Sequence, residues 1–217
     1  MRTGPLILAV ALGLAQVVAL AEVPDGFLPI FNGRNLAGWH TSLTNHHGDT
    51  REWRVFEQAV IGKQDRAGNG GILLSDASYG DFEVYMEIRP DFGCDGGVFL
   101  RSSASGQAYQ VMLDYLEGGN VGGIHGERLE GLSTQPSDGW EEVWDREGWN
   151  ALRVRIRGAN PRIEVWLNET LITDFEDSEN RLPAGATEGS IALQVHGGDR
   201  CKPGLEHRFR NIAVRQL

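Results

Sequence analysis

Residues 93–127 read GCDGGVFLRSSASGQAYQVMLDYLEGGNVGGIHGE. Val98-Phe99-Leu100-Arg101 and Tyr109-Gln110-Val111-Met112-Leu113-Asp114 are short aliphatic and aromatic runs bounded by Gly and Ser, which predicts two strands. Alternation puts Tyr109, Val111 and Leu113 on one face of the second run and Gln110, Met112 and Asp114 on the other. In the first run Phe99 and Arg101 share a face opposite Val98 and Leu100. Polar side chains thus interrupt apolar strands at regular intervals, a pattern that suits a solvated sheet face and a ligand face equally. Seven more glycines lie between Gly93 and Gly126. They permit tight loops or the close approach of a ligand to the main chain.

Working outward, the same period of two recurs. Over residues 82–89, Phe82, Val84, Met86 and Ile88 face one way and Glu83, Tyr85, Glu87 and Arg89 the other. Residues 53–57 and 59–61 predict a hairpin around Gln58, and 72–74 a short strand. Residues 152–156 and 163–167 alternate, and Asn168-Glu169-Thr170 stands where a hairpin turn is needed, although it also spells a glycosylation sequon. Ser190 to His196 puts Ile191, Leu193 and Val195 on one face and Ala192, Gln194 and His196 on the other, and residues 209–214 predict a closing strand. Trp39 is expected in the core. His46-His47 falls in a polar segment that predicts a solvated loop, and since neighbours on a strand point to opposite faces the two are not expected to form a chelating pair by themselves. The long connection 131–147, with Trp140 and Trp144, has the length of a functional loop. No long stretch has a helical period. The expected fold is an all-β antiparallel two-sheet sandwich forming one domain over residues 22–217.

The first 21 of the 217 residues have the layout of a cleaved export signal: Arg2, an apolar run over 6–14, and Ala19-Leu20-Ala21 before Glu22. A periplasmic or secreted protein is expected. Losing Arg2 with that segment takes the formal charge from −10 to −11. Such an acidic chain is a poor partner for nucleic acid or an anionic membrane, and is indifferent to a neutral sugar. Two cysteines in an exported chain, Cys94 and Cys201, predict one disulfide between two Gly-flanked loops.

Two polar clusters fall on faces that would otherwise be plain core: Arg101, Gln110, Asp114, His125 and Glu127, and then Gln194 and His196 before Gly197-Gly198. A curved sandwich would gather them on its concave face. The Gly-x-Ser-x-Gly elbow, the phosphate-binding loop and the Glu-x-Asp-x-x-Glu strand of laminarinase-type glycosidases are all absent from the sequence. Glu83 and Glu87 share a face, but as a two-carboxylate pair the signal is weak.

Eight motifs occur in a fixed order. Phe31-Asn32-Gly33-x-Asn35-Leu36-x-Gly38-Trp39, Tyr79-Gly80-Asp81-Phe82-Glu83 and Gly97-Val98-Phe99-Leu100-Arg101-Ser102 come first. Tyr109-Gln110-Val111-Met112-Leu113-Asp114, Gly148-Trp149-Asn150 and Val165-Trp166-Leu167-Asn168 follow, then Leu193-Gln194-Val195-His196-Gly197 and Phe209-Arg210-Asn211-Ile212. Together they resemble the 3-keto-disaccharide hydrolase family across nearly the whole mature chain. The resemblance implies a concanavalin A-like jelly roll and cleavage of glycosides already oxidised at C3 by a separate sugar 3-dehydrogenase. Departures from the family pattern include Gln110 where many relatives carry a carboxylate, and His125 where many carry Tyr. Carried onto matching positions, His196 is expected as the base. Asp114 and Glu127 are candidates for acid or ligand roles, and Arg101, Gln110, His125 and Gln194 for substrate binding. A divalent cation, calcium or manganese, or else Arg101, is the candidate for stabilising an enolate. A non-catalytic carbohydrate-binding module and a two-carboxylate glycosidase are the competing expectations.

Overall fold

The structure is a computed structural model and describes residues 23–217; the expected export signal lies outside the described residues. Fourteen strands follow one another: β1 (Leu28–Pro29), β2 (Trp39–Thr41), β3 (Trp53–Phe56), β4 (Ala59–Gly62), β5 (Gly71–Tyr79), β6 (Phe82–Ile88), β7 (Gly96–Ser102), β8 (Ala108–Leu113) and β9 (Val121–Glu127). A one-turn helix α1 (Trp140–Val143) then precedes β10 (Asn150–Arg157), β11 (Arg162–Leu167), β12 (Thr170–Glu176), β13 (Gly189–Val195) and β14 (His207–Gln216). They form an eight-stranded sheet in the order β12-β11-β10-β6-β14-β4-β3, with β1 on β14, and a six-stranded sheet β2-β5-β13-β7-β8-β9. Every strand pairing is antiparallel.

The period of two explains the layers. Phe82, Val84, Met86 and Ile88 of β6 face Val98 and Leu100 of β7, Tyr109, Val111 and Leu113 of β8, and Ile191, Leu193 and Val195 of β13 in one buried core between the sheets. Each such side chain is worth roughly 1.5–3 kcal/mol of burial. Trp39 is buried there and its indole N–H donates to the Ile30 carbonyl at 3.0 Å. The outer face of the larger sheet holds charge. Glu83 is fully buried and salt-bridged to Arg153, Arg155 and Arg215, while Glu87 pairs with Arg210. These two carboxylates hold a sheet face together and are no glycosidase pair.

Two hairpins close as the residues require. Glu57-Gln58 and Asn168-Glu169 all adopt positive φ, as two-residue turns between twisted strands demand. Asn168 Nδ2 donates to the Val143 carbonyl at 2.7 Å and to Asn150 Oδ1 at 2.8 Å, so this amide is committed to the turn. In the 131–147 connection Trp140 and Trp144 pack edge-on and tilted against Tyr115, and Thr134 contacts His125. Cys94 and Cys201 are joined in a disulfide. No helix among the described residues is long and apolar enough to cross a membrane.

Candidate active site

The outer face of the six-stranded sheet begins apolar and turns polar along its length. Ile72, Leu74, Phe99, Ala108 and Ala192 form a small buried cluster at one end. Register then places Gln110 beside Phe99 on one side and His125 on the other, and Gln194 opposite Gly97, which is opposite Met112. Gly97 leaves a gap in that row. Gln110 lies across the gap, with its Nε2 only 2.5 Å from where a Gly97 Cβ would stand. From there Nε2 donates to Gln194 Oε1 at 2.9 Å and to the Gly96 carbonyl at 3.2 Å. The glycine therefore makes a buried polar network that joins two strands separated by more than eighty residues.

Around this network is a cleft of about 380 Å³ lined by His46, His47, Asp95, Gln110, Met112, Asp114, His125, Glu127, Thr134, Gln194, His196 and Arg200. It brings together six of the seven residues expected from the sequence. The seventh, Arg101, is a correction. The β7–β13 register slips here, so that Leu100 and Arg101 both stand opposite the single residue Ile191, and Arg101 takes φ +51°. Such a bulge re-aims the side chain. Its buried guanidinium donates to the carbonyls of Gly80 and Gly158, both at 2.9 Å, and to Asp81 at 2.6 Å. Arg101 ties hairpin turns together and does not reach the cleft.

His196 follows β13. Its Nδ1 lies 2.8 Å from the Gly197 carbonyl. A carbonyl only accepts, so Nδ1 bears the proton and Nε2 keeps the lone pair in the neutral ring. The glycine after it serves loop packing: a Cβ on Gly197 would stand 2.6 Å from both the Gly68 carbonyl and the Gly70 nitrogen. His125 is oriented by Thr134 Oγ1 at 2.8 Å.

His46-His47 lies in a turn, as the loop expectation has it, but the His47 side chain is buried, at 3% exposed. Asn45 Oδ1 accepts from the His47 N–H at 2.9 Å, and Asn45 Nδ2 donates to the Ser42 and Gly48 carbonyls. The turn sends both rings the same way, with centroids 4.0 Å apart, onto Glu127: His46 Nε2 is 3.1 Å from Oε1 and His47 Nε2 3.4 Å from Oε2. Burial pushes the Glu127 carboxyl up, but the His47 contact and the charge of neighbouring imidazoles outweigh it and hold it below the usual range. Burial, helped by His47, lowers His46. The three donors lie within 4.8 Å of one another. Two imidazoles and a carboxylate are a borderline donor set that suits manganese, iron, cobalt or zinc. Calcium, which takes six to eight oxygens, does not fit.

Asp114 stands apart from those donors. Burial pushes its carboxyl up to about 8, aided by a hydrogen bond to Asp95 and the Asp95 charge, and opposed by Arg200. Asp95 and Arg200 carried no motif in the sequence. The disulfide beside both was the only available pointer. A larger hollow, about 560 Å³ on the outer face of the other sheet, includes Arg153, Arg215 and Trp166. Both arginines there are already paired with Glu83.

Comparison with known proteins agrees with this architecture. The profile of the 3-keto-alpha-glucoside-1,2-lyase-like domain matches residues 26–215. A candidate glycosyl hydrolase from Parabacteroides distasonis superposes with a TM-score of 0.62 at 16% identity, covering 89% of this chain and 94% of that one. The carbohydrate-binding module CBM66 from Bacillus subtilis gives 0.53 at 21% identity, covering 84% and 98%. The alginate lyase Aly36B gives 0.55 at 12% identity, covering 85% and 96%. At these identities the solved structures establish the shared fold. No curated protein matches the chain.

Proposed function

The chain belongs to the 3-keto-alpha-glucoside-1,2-lyase-like domain family, and on that footing we propose that it cleaves the glycosidic bond of a sugar oxidised at C3. The ketone acidifies the proton on C2. His196 takes that proton on Nε2, and the electron pair moves into the C3 enolate. Collapse of the enolate expels the C1 oxygen, which leaves as an alcohol after receiving a proton from Asp114. The product is a sugar unsaturated between C1 and C2. Water then returns its oxygen to C1 and a proton to C2, which makes the net reaction a hydrolysis.

One observation carries this reading. A single cleft holds an imidazole whose free lone pair is fixed by the Gly197 carbonyl and a carboxyl that stays protonated up to about pH 8. An imidazole with an open lone pair in one cleft with a carboxyl that burial keeps protonated is what base-assisted elimination needs. Gln110, Gln194 and His125 supply hydrogen bonds to sugar hydroxyls along the sheet face. Were a divalent cation bound, His46, His47 and Glu127 would hold it, and it would polarise a ketone or enolate oxygen.

We also place the mature protein outside the cytoplasm, a reading that the Cys94–Cys201 disulfide supports. A sugar 3-dehydrogenase would supply the substrate. The test is product formation from a 3-keto-glucoside or 3-keto-trehalose set against the parent sugar. Turnover of the keto sugar alone supports the proposal, and turnover of the parent sugar alone overturns it. Binding without turnover of either would point instead to a carbohydrate-binding module.

A further inference from the structure

We infer that the Cys94–Cys201 disulfide is a positioning element of the cleft: it clamps Arg200 onto the Asp95–Asp114 carboxyl pair, and the clamp limits how far up in pH the pair keeps a shared proton. The chain layout motivates this. Asp95 directly follows one cysteine and Arg200 directly precedes the other. Cys94 and Cys201 face each other as an antiparallel bridge, the Asp95 N–H donates to the Arg200 carbonyl at 2.9 Å, and the Lys202 N–H donates to the Gly93 carbonyl at 3.2 Å.

The side chains complete the geometry. Arg200 Nη2 lies 2.6 Å from Asp95 Oδ2 and 3.2 Å from Asp114 Oδ2, and Arg200 Nε donates to Asp95 Oδ2 at 2.7 Å. The carboxylate side chains are only 5% and 10% exposed, whereas the arginine that serves both is 51% exposed. Two ionised carboxylates against one guanidinium would leave a net buried charge. A single retained proton removes it. An exposed arginine on a short loop loses conformational freedom when it holds this position, and a covalent link one residue away has already removed much of that freedom.

The other charged neighbours do not replace Arg200. His207 on β14 lies behind Asp95, fully buried, with burial pushing it down to about 4, so it is neutral at physiological pH. His125, Glu127 and His196 share the cleft but make no hydrogen bond or ion pair with either aspartate side chain. The Gln64 side chain donates to the Cys201 carbonyl, so loss of the disulfide would loosen the loop without freeing it.

The consequence for turnover rests on the proposed reaction, but the test does not. The carboxyl carbons of 13C-aspartate-labelled protein are titrated by NMR in four chains: the native sequence, Arg200→Gln, Cys94→Ala with Cys201→Ala, and the triple variant. Arg200→Gln should raise the titration midpoint of the pair by about one pH unit or more. The cysteine pair should raise it in the same direction, and adding Arg200→Gln to the cysteine pair should take it no further than Arg200→Gln alone. An unmoved midpoint in Arg200→Gln, or shifts that simply add, would overturn the inference. Should the cysteine-free chain not fold, one glycine inserted between Arg200 and Cys201 loosens the clamp with the bond intact. It should give the same upward shift, and an unchanged midpoint there also overturns the proposal. These outcomes stand whether or not any keto sugar is turned over.

Discussion

Exchanging Arg101 for methionine separates a structural arginine from a substrate-binding one. The guanidinium is fully buried and joins β7 of the six-stranded sheet to the Gly80-Asp81 turn before β6 and to Gly158 at the end of β10, both in the other sheet. Methionine keeps much of the aliphatic volume, so the cavity cost is small. What is lost is three hydrogen bonds, one of them to a carboxylate. Breaking a buried ion pair by removing one partner costs about 3–5 kcal/mol. Asp81 is 47% exposed, so water recovers part of this and the expected loss falls to roughly 2–4 kcal/mol. At about 2–4 °C per kcal/mol for a chain of this size, the Tm should fall by roughly 5–15 °C. Calorimetry gives the Tm, and KM for a 3-keto-glucoside, measured well below both transitions, should stay within about twofold. An unchanged Tm with a KM raised tenfold would refute the reasoning and return Arg101 to the substrate.

Gly97→Ala places a methyl 2.5 Å from Gln110 Nε2 and 2.7 Å from its Cγ, so the Gln110 side chain must move and its bond to Gln194 is lost; at about 1 kcal/mol or more for one buried hydrogen bond the Tm should fall by a few degrees, and KM should rise several-fold as the two amides leave their places. An unaffected KM would show that this row does not bind substrate. As the proposed acid, Asp114 would work only while protonated, so kcat/KM should fall as pH rises through about 8, and Asp114→Asn should remove that limb and cost roughly 10²–10⁴ in rate. The same group binds in the native state a proton that the unfolded chain has released above its ordinary carboxylate value. Stability should therefore decline between about pH 4 and 8 and be flatter in Asp114→Asn; a flat native profile would contradict the raised carboxyl.

Much of this was legible from alternation alone. The face of β8 that carries Gln110 and points on to Asp114 just beyond its end, and the face of β13 that carries Gln194, follow directly from a period of two. Alternation fails at Arg101 because a single extra residue in a bulge leaves the composition of the strand unchanged and reverses the side chains beyond it. His46 and His47 sit in the loop that their segment predicts; what strand alternation does not show is that a turn, flanked here by Asn45 and Gly48, lets neighbouring side chains point the same way. Asp95 and Arg200 were illegible for a different reason. Each is an ordinary loop residue until the 94–201 bond brings the two loops together.

The most direct test of the account is the fate of the C2 hydrogen. A 3-keto-glucoside deuterated at C2 should lose its label to solvent during cleavage, with a primary isotope effect on turnover, and His196→Ala should abolish both cleavage and label loss in a folded protein. Cleavage that leaves the deuterium on C2 of the product, or label loss that continues at a normal rate without His196, would contradict base-assisted elimination from this cleft.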